Sequence, residues 1–264
     1  MNEQIAVRNV SFSYPGVGHT SHPVLDSIHF TAEGGEFIVL MGVNGAGKST
    51  LLDIVAGLRI PDSGEVLLQN RDLRAWPARE RSRRISHLPQ GTSHDLPFTV
   101  EQVVLMGRYA HADRWFESDA DHAYARDAMQ RMDCLQFRDR LFSTLSGGER
   151  QRVLLASCIA QCPAVMLFDE PSTYLDVHQQ LQCFSTLAEL AREGALCIAV
   201  THDLNLALAH CSRVMILNGQ HLAADFAASQ AVGNSGDNPE WLSWLSPRLR
   251  MAQTPEGKPW VLYR

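Results

Sequence analysis

A segment that is rich in glycine and ends in lysine, serine and threonine has the residue types and the spacing to bind nucleotide phosphates. It spans residues 42–50 and follows the apolar run 37–41. Glycine lets backbone N–H groups approach phosphate oxygens where a Cβ would clash, Lys48 offers a cation to the β- and γ-phosphates, and Ser49 offers a hydroxyl to Mg²⁺. The residues that we predict to contact nucleotide here are Gly42, Asn44, Gly45, Ala46, Gly47, Lys48, Ser49 and Thr50.

Two acidic residues follow a second apolar run. Residues 164–168 have the composition of a central parallel strand that is buried on both faces, and Asp169, Glu170 and Pro171 come directly after them. We predict that Asp169 holds the Mg²⁺ that Ser49 binds, and that Glu170 polarises a water beside the γ-phosphate. Because a residue before proline avoids the helical region, we expect the backbone of Glu170 to be extended.

Polar side chains also follow two other predicted strands. Residues 85–90 end in Gln90, and the apolar run 195–200 leads into His202. Ligands of open α/β sheets bind beyond the carboxyl ends of the strands, where these side chains would meet the two carboxylates. We therefore predict that Gln90 lies near the Mg²⁺ and the attacking water, and that His202 contacts the γ-phosphate.

A second helix start has features that a structural cap does not explain. Ser146 and Glu149 form the S-x-x-E pattern of a capping box. Gly147 and Gly148 lie between them, and each glycine in a first helical turn costs up to about 1 kcal/mol relative to alanine. Bare backbone at a helix N-terminus does allow a phosphate to approach closely. We therefore predict that Ser146, Gly147 and Gly148 bind phosphate, and that this helix start serves a different side of the nucleotide from the first.

The elements that must position these residues form an α/β pattern. The chain has 264 residues, 45% of them hydrophobic, which suffices for one large core with an inserted or appended subdomain. Residues 91–160 carry apolar residues at helical spacing between predicted strands, which indicates a helical insert. Residues 24–30 and 36–41 are predicted to be a pair of strands that leads into the glycine-rich segment. Four arginines within residues 79–84 indicate a solvated helix face.

The N-terminal strand ends in an aromatic residue with two alternative roles. Residues 5–14 partly alternate apolar and polar side chains, as a half-exposed antiparallel strand does, and a Pro-Gly pair follows them. The ring of Tyr14 would either stack on an adenine or cap the core at the end of this strand. The pattern by itself favours neither role.

The composition excludes two classes of partner. With a formal net charge of −6, the chain has no global positive field to attract nucleic acid or an anionic membrane surface. The apolar runs are far shorter than the ~18 residues that a membrane span needs. Six cysteines without a C-x-x-C pair indicate small buried side chains in a reducing compartment, in preference to disulfides or zinc ligands.

Taken together and in this order, the motifs resemble those of the nucleotide-binding subunit of ATP-binding cassette (ABC) transporters. The phosphate loop is residues 42–49, the family's signature is residues 145–149, and its Mg²⁺ and catalytic-base motif is residues 165–170. The resemblance covers residues 3–222. The residues that stand where the family has its adenine-stacking, glutamine-loop, dimer-loop and switch residues are Tyr14, Gln90, Asp176 and His202.

This resemblance implies a fold and a division into domains. The fold would be α/β, with a P-loop NTPase (RecA-like) core, an N-terminal antiparallel β subdomain and an inserted α-helical subdomain. The core would comprise residues 1–90 and 161–222, the helical signature subdomain residues 91–160, and a C-terminal extension residues 223–264.

The resemblance also implies a catalytic assembly. ATP and Mg²⁺ would lie between the phosphate loop of one copy and the signature of a second copy in a head-to-tail dimer, which would open after hydrolysis. The residues implied in catalysis are Lys48, Gln90, Glu170 and His202. The residues implied to hold the Mg²⁺ are Ser49, Gln90 and Asp169.

A narrower resemblance lies in residues 98–111. They are similar to the segment after the glutamine loop in ATPases that import iron-siderophore complexes, haem or vitamin B12. Residues 239–242 and 248–262, with a predicted hairpin turn at 255–259, are similar to the C-terminal pattern of the same subgroup. The residues that depart from the pattern are Val43 and Ala110, where proline is common, and Tyr174 in the dimer loop, where a small residue is usual.

The resemblance therefore implies the ATP-hydrolysing subunit of a metal-chelate importer. Its partners would be a second copy, transmembrane permease subunits and, indirectly, a periplasmic substrate-binding protein, without nucleic acid. It would be peripheral to the cytoplasmic face of the inner membrane. One alternative is the ATPase of an ABC exporter, because the core motifs do not distinguish direction. Another is a soluble ABC ATPase without a transport role, which usually carries two cassettes or a long coiled-coil insertion.

Overall fold

The structure, a computed structural model, describes residues 3–16, 21–91, 96–111, 117–231, 238–254 and 259–263. The strands are β1 (Glu3–Pro15), β2 (Ser21–Glu33), β3 (Phe37–Gly42), β4 (Ser63–Leu68), β5 (Arg71–Asp72), β6 (Ile85–Leu88), β7 (Val165–Asp169), β8 (Leu196–Val200), β9 (Arg213–Asn218), β10 (His221–Ala227), β11 (Leu249–Gln253) and β12 (Pro259–Tyr263). The α-helices are α1 (Lys48–Val55), α2 (Ala78–Ser82), α3 (Val100–Leu105), α4 (Asp119–Arg131), α5 (Gly147–Ala160), α6 (Val177–Arg192), α7 (Leu204–His210) and α8 (Glu240–Leu245). Within these described ranges, no helix combines the length and the apolar composition that crossing a membrane requires.

The core is a six-stranded sheet with the strand order β10-β9-β3-β8-β7-β6. Neighbouring strands are parallel except at the edge, where β10 runs antiparallel to β9. Every residue of β3, β7 and β8 is buried, because separate hydrophobic clusters cover the two faces of the sheet. Burial on both faces explains why the sequences of β3, β7 and β8 are almost entirely apolar. The carboxyl ends of the three strands lie at one edge, where Val200 pairs with both Leu40 and Asp169.

A second sheet is antiparallel, has the order β2-β1-β4-β5, and shares a hydrophobic cluster with one face of the core. Its β2 pairs with β1, for example through Phe30 and Val7, whereas β3 lies in the core sheet. The predicted pairing of residues 24–30 with residues 36–41 is therefore wrong. The reason is burial: β2 buries one face only, which suits an outer sheet, whereas β3 is buried on both.

The chain between the neighbouring strands β6 and β7 forms the expected helical insert. Helices α3, α4 and α5 pack together, and the buried side chains between them include Val104, Met129, Phe142 and Val153. Gly107 lies where the chain after α3 passes α5, and a Cβ there would collide with the carbonyl oxygen of Ser157. The insert therefore leaves the sheet and returns to it at adjacent strands.

None of the four arginines of residues 79–84 is buried, which agrees with the predicted solvated face, but several of them also make specific contacts. Arg79 and Arg83 donate to the carbonyl oxygen of Ala110 at 3.3 and 2.7 Å. The Arg84 guanidinium lies over the Trp76 ring, 4.2 Å from its centroid. The charge run does not reveal these contacts because Ala110 is far away along the chain. Helix α2 thus holds the segment that follows α3.

The C-terminal part packs against the core. Strand β10 pairs with β9 from His221 onward, and Trp241 of α8 contacts Phe226, with ring centroids 5.2 Å apart. Strands β11 and β12 pair as the C-terminal hairpin, although residues 255–258 of the predicted turn lie outside the described residues. All six cysteines are unbridged, and Cys162 alone among them is exposed.

Candidate functional site

The phosphate loop joins β3 to α1 through backbone that favours glycine. Gly42 has φ +150° and lies against the carbonyl oxygen of Leu217, and Gly47 has φ +95° beside Val24 and Leu25. Gly47 is also the N-cap of α1, and no side chain caps this helix start. The first N–H groups of α1 are therefore available to an anion, which the helix dipole would also stabilise.

Lys48 is buried inside this loop, with 7% of its surface exposed. Its Nζ donates to the carbonyl oxygens of Gly42 and Val43 at 2.9 and 3.0 Å. Burial lowers the pKa of Lys48, and the carboxylates of Asp169 and Glu170 oppose that shift. The loop thus holds an ammonium group that can exchange backbone carbonyls for phosphate oxygens.

Asp169, the last residue of β7, contacts the first turn of α1. It is 5% exposed and accepts a hydrogen bond from the Ser49 hydroxyl. Burial raises the pKa of Asp169; the Ser49 hydrogen bond opposes this rise and the charge of Glu170 adds to it. Mg²⁺ is usually held by one or two carboxylates together with substrate phosphates and water. The hard oxygen donors of Ser49 and Asp169 therefore fit this metal.

Glu170 has φ +53°, in the left-handed region, so the expectation of an extended backbone is wrong. Its N–H donates to the carbonyl oxygen of Val200 on the neighbouring strand, and its own carbonyl oxygen accepts from the N–H of Thr173, both at 3.2 Å. These two bonds define a turn that overrides the local effect of Pro171. Such backbone strain costs of order 1–3 kcal/mol and is concentrated at functional sites.

Both carboxylate oxygens of Glu170 have partners. The hydroxyl of Thr173 donates to Oε2 at 3.3 Å, and Nε2 of His202 lies 3.2 Å from Oε1. Gln90 shares a cleft of about 440 Å³ with Asp169, Glu170 and Gly147. The structure therefore brings the predicted polar residues of three strand ends to one edge of the sheet, beside the phosphate loop.

The signature segment forms the start of α5 with a complete capping box. Ser146 Oγ accepts from the N–H of Glu149 at 3.4 Å, and Glu149 Oε2 accepts from the N–H of Ser146 at 2.7 Å. The two glycines differ. A Cβ on Gly148 would lie 2.9 Å from the carbonyl oxygen of Tyr174, whereas a Cβ on Gly147 would make an ordinary 3.5 Å contact with the Tyr174 side chain. Packing within the chain therefore accounts for Gly148 but leaves Gly147 unexplained.

Residues 25–173, more than half of the chain, match the protein family described as ABC transporter. This chain belongs to that family. The hemin import ATP-binding protein HmuV of Rhodopseudomonas palustris is 38% identical over 247 residues, which cover 90% of this cassette and 88% of the relative. The cobalamin import ATP-binding protein BtuD of Halobacterium salinarum is 43% identical over 195 residues, which cover 74% of this cassette. The match spans about half, 49%, of that relative's length.

Two solved structures are similar over most of the cassette. A metal-chelate type ABC transporter in an inward-facing conformation has a TM-score of 0.78 and 26% identity over 100% of this chain and 99% of that one. A bacterial ABC transporter cassette solved as a dimer has a TM-score of 0.76 and 27% identity over 85% of this chain and 98% of that one. These similarities confirm the predicted fold, with its N-terminal antiparallel β subdomain and its helical insert.

In the cassette, Tyr14 is part of a small packed group. Its hydroxyl lies 3.1 Å from Oγ1 of Thr50, and its ring packs edge-on with Phe12 at a centroid distance of 5.0 Å. The Arg59 guanidinium lies over the ring, 5.1 Å from the centroid. This packing fits the role at the end of the strand, and an adenine would need a ring face that Arg59 does not cover.

Several residues near the site escape the sequence patterns. Thr173 and Gln151 both hold the turn at Glu170 and Pro171. Thr173 bonds the Glu170 carboxylate, and Gln151 donates to the carbonyl oxygen of Pro171 at 3.0 Å. His87 lies near Asp169, and burial lowers the pKa of His87. None of the sequence patterns used above predicts these contacts of Thr173, Gln151 and His87.

Proposed function

We propose that this cassette is the ATP-hydrolysing subunit of an importer for metal chelates of the haem, cobalamin or iron-siderophore type. The observation that carries the hydrolytic role is Glu170, whose two carboxylate oxygens contact Thr173 and His202 directly beyond the strand that ends in Asp169. The cargo class is supported by the similarity to HmuV and BtuD, which are named for hemin and cobalamin import, and by residues 98–111.

In this proposal ATP binds with its phosphates in the phosphate loop. The Nζ atom of Lys48 leaves the carbonyl oxygens of the loop for the β- and γ-phosphates, and the uncapped start of α1 donates backbone N–H groups to them. Mg²⁺, with Ser49 and Asp169 as ligands and Gln90 in the same cleft, would supply charge neutralisation at the phosphate oxygens.

Glu170 acts as the base. It orients a water and accepts its proton while the water oxygen bonds to the γ-phosphorus and the bond to the β–γ bridging oxygen breaks. Thr173 holds one carboxylate oxygen, and His202 lies next to the other. His202 is thus placed to steady the base and to contact the γ-phosphate.

A second copy completes the site. Ser146 and Gly147 are exposed at the start of α5, and in the proposed head-to-tail dimer they face the phosphate loop of the other copy. A similar cassette solved as a dimer supports this assembly. Because the γ-phosphate bridges the two copies, its loss by hydrolysis lets the dimer open.

The movement would reach a permease through the helical insert. In this scheme residues 1–90 and 161–222 form the nucleotide-binding core, residues 91–160 move as the signature subdomain, and residues 223–264 form an extension. Residues 98–111 would contact transmembrane permease subunits at the cytoplasmic face of the inner membrane. A periplasmic substrate-binding protein would deliver the chelate on the opposite side.

Replacing the base tests this function. Removing a general base costs roughly 10²- to 10⁴-fold in rate, so Glu170→Gln should lose that much hydrolysis, retain ATP and accumulate as a closed dimer. Lys48→Ala should instead lose ATP affinity. The matched control is Glu193→Gln, which removes a surface carboxylate paired with Arg131 and should hydrolyse ATP normally. Parent-like hydrolysis by Glu170→Gln would show that Glu170 is not the base.

The direction of transport needs the assembled transporter. The cassette is reconstituted with a permease of the metal-chelate class in proteoliposomes, and haem or cobalamin movement is followed during ATP hydrolysis. We expect ATP-dependent uptake from the side of the substrate-binding protein. Movement in the opposite sense would identify an exporter, and failure to bind permeases of either class would favour an ATPase without a transport role.

A further inference from the structure

Tyr174 has no part in the mechanism above and is unusual in two ways. Its φ of +67° lies in the left-handed region, which is costly for a bulky side chain. It is also 74% exposed, although it borders the start of α5, where a Cβ added to Gly147 would lie 3.5 Å from its side chain. Backbone strain of this kind is concentrated at functional sites, and the exposed ring at the edge of the cleft that contains Gln90 and Glu170 is available for a contact with another molecule.

A cavity of about 670 Å³ opens beside the phosphate loop. Residues from three parts of the chain line it: Val43 and Asn44 of the loop, His202 and Asp203 beyond β8, and Leu249 and Val261 of the C-terminal hairpin. Val43 is 44% exposed. The walls combine apolar side chains with amide and carboxylate oxygens, and this combination suits a ligand with an apolar body and a polar tip, as tyrosine has.

The hairpin wall of this cavity is fixed to the segment that carries His202. The Nδ2 atom of Asn205 donates to the carbonyl oxygen of Val261 at 3.1 Å, and its Oδ1 accepts from the N–H of Val261 at 2.7 Å. Asn205 belongs to α7, whose N-cap is Asp203. Helix α7 therefore fixes the hairpin relative to the segment that carries His202. The cavity is thus already formed before the dimer closes.

We propose that Tyr174 of one copy enters this cavity in the other copy when the dimer closes. The inference rests on the head-to-tail dimer proposed above. In that dimer the start of α5 faces the phosphate loop of the other copy, Tyr174 borders the start of α5, and the cavity borders the phosphate loop. Two-fold symmetry makes the contact twice. The C-terminal hairpin is then part of the dimer interface.

The contact would cover two exposed apolar side chains at once. Tyr174 is 74% exposed, and Val43, which lines the cavity, is 44% exposed. The phenol hydroxyl would find a polar partner in Asn44 or Asp203. Buried tyrosines are frequent among the residues that dominate interface affinity.

Dimer affinity tests the proposal in the Glu170→Gln background, with ATP and Mg²⁺ and analytical ultracentrifugation as the readout. Adding Tyr174→Ala should weaken the dimer by roughly tenfold or more, as expected for a dominant interface residue. Ser246→Trp, which fills the cavity, should weaken it similarly, and combining both changes should add little further effect. Leu58→Ala, at a 63% exposed apolar residue, is the control and should change nothing.

Cross-linking gives a second readout. A chain with Tyr174→Cys is mixed with a tagged chain with Ser246→Cys, both in the Glu170→Gln background with the exposed Cys162 replaced by serine, and a bifunctional thiol reagent is added. We expect a covalent dimer that requires ATP and both cysteines. If Tyr174→Ala and Ser246→Trp dimerise like the Glu170→Gln parent and no such cross-link forms, the inference is wrong while the dimer stands. If that parent stays monomeric with ATP, the proposed dimer is wrong as well.

Discussion

The two helix starts with bare glycine, at Lys48 and at Gly147, are built differently. At the first, the N-cap is Gly47 in the left-handed region without a side-chain cap, and Lys48 is 7% exposed. At the second, Ser146 and Glu149 form a complete capping box, and Ser146 and Gly147 are exposed. The first helix start thus has left-handed backbone at its N-cap. At the second, the capping box bonds the N–H groups of Ser146 and Glu149, and the helix end lies at the surface.

This difference shows how a nucleotide site can be divided between two copies. The first start has a cation, a hydroxyl and a carboxylate within one chain, in Lys48, Ser49 and Asp169, and burying such groups destabilises the fold. The second offers only backbone N–H groups and a hydroxyl, and its capping box keeps the helix intact without nucleotide. Changes to the glycines and buried groups of the first start should therefore alter folding stability, whereas Gly147 at the second start should be needed for function but not for stability.

Among the substitutions that compare the two helix starts, Gly147→Ala should have the largest effect. The added methyl has room within the chain, 3.5 Å from the Tyr174 side chain, but it occupies the space through which a phosphate would approach. Displacing a reacting group by about 1 Å can cost roughly 10²-fold in rate, so hydrolysis should fall by about that factor. Stability should stay the same or rise by up to about 1 kcal/mol. Steady-state hydrolysis and urea unfolding measure the two.

The control for that change is Gly148→Ala, whose Cβ would lie 2.9 Å from the carbonyl oxygen of Tyr174 and should also destabilise the chain. Parent-like hydrolysis by Gly147→Ala would remove the second helix start from the site. A loss of stability equal to that of Gly148→Ala would remove the distinction between the two glycines.

Gly42→Ala tests the phosphate loop before the first helix start, and this change should destabilise the fold. Gly42 has φ +150°, and its Cβ would collide with the carbonyl oxygen of Leu217 on β9. We expect a loss of about 1–3 kcal/mol in the free energy of unfolding without nucleotide. Gly45→Ala is the matched control. Gly45 has φ +79°, but a Cβ added there would meet no atom of the described residues within 4 Å, so this variant should lose less stability. Equal losses would mean that the contact with β9 adds nothing.

Comparing the capping boxes of α4 and α5 distinguishes an effect on stability from an effect on function. Ser118 and Ser146 form the same box at the two helix starts. Replacing either serine by alanine should lower the free energy of unfolding by about 1 kcal/mol. Only Ser146→Ala should also weaken ATP-driven dimerisation, because only that hydroxyl faces a phosphate in the proposed dimer. The pair is compared by thermal unfolding and by sedimentation, and equal dimerisation by both variants would argue against the role of Ser146.

The smallest effect concerns the pH dependence of stability at the first helix start. Burial raises the pKa of Asp169 above its ordinary 3.8, so the folded chain binds this proton more tightly than the unfolded chain. The stability from this group is present below pH 3.8 and is lost as the pH rises through the raised pKa. Asp169→Asn should therefore unfold at a higher temperature than the parent near neutral pH without nucleotide.

Asp127→Asn is the control for this change, because Asp127 is a 63% exposed surface carboxylate. The temperature of unfolding is measured for the parent and both variants across the acidic and neutral range. The difference between Asp169→Asn and the parent should vanish below the ordinary carboxyl pKa. An Asp169→Asn chain that is less stable than the parent at neutral pH would show that Asp169 is not strained by its burial.

The centre of the sheet is predictable from sequence because burial on both faces leaves only apolar residues and glycine in β3, β7 and β8, apart from Asp169 at the end of β7. Parallel strands with this pattern deliver their following residues to one edge, which is why Glu170 and His202 can be placed at the same edge from sequence alone. Their direct contact at 3.2 Å is a detail that only the structure shows. The capping box at Ser146 is equally local, since all its partners lie within one helical turn.

Features that depend on distant residues are not predictable in this way. The left-handed backbone of Glu170 is held by a hydrogen bond to Val200 on another strand. The rule for residues before proline considers only local sterics and does not include such a bond. The need for Gly148 arises from Tyr174, which the capping pattern does not contain. The same holds for the arginines that bind Ala110.

The most direct test of the divided site is to mix two inactive chains. Lys48→Ala removes the cation of the first helix start, and Gly147→Ala blocks the second. A mixed dimer then has one site in which both changes meet and one site that contains neither. We predict that the mixture hydrolyses ATP well above the sum of the two variants measured separately. A mixture no more active than that sum would contradict the account, because the phosphate loop and the signature would then act within one chain.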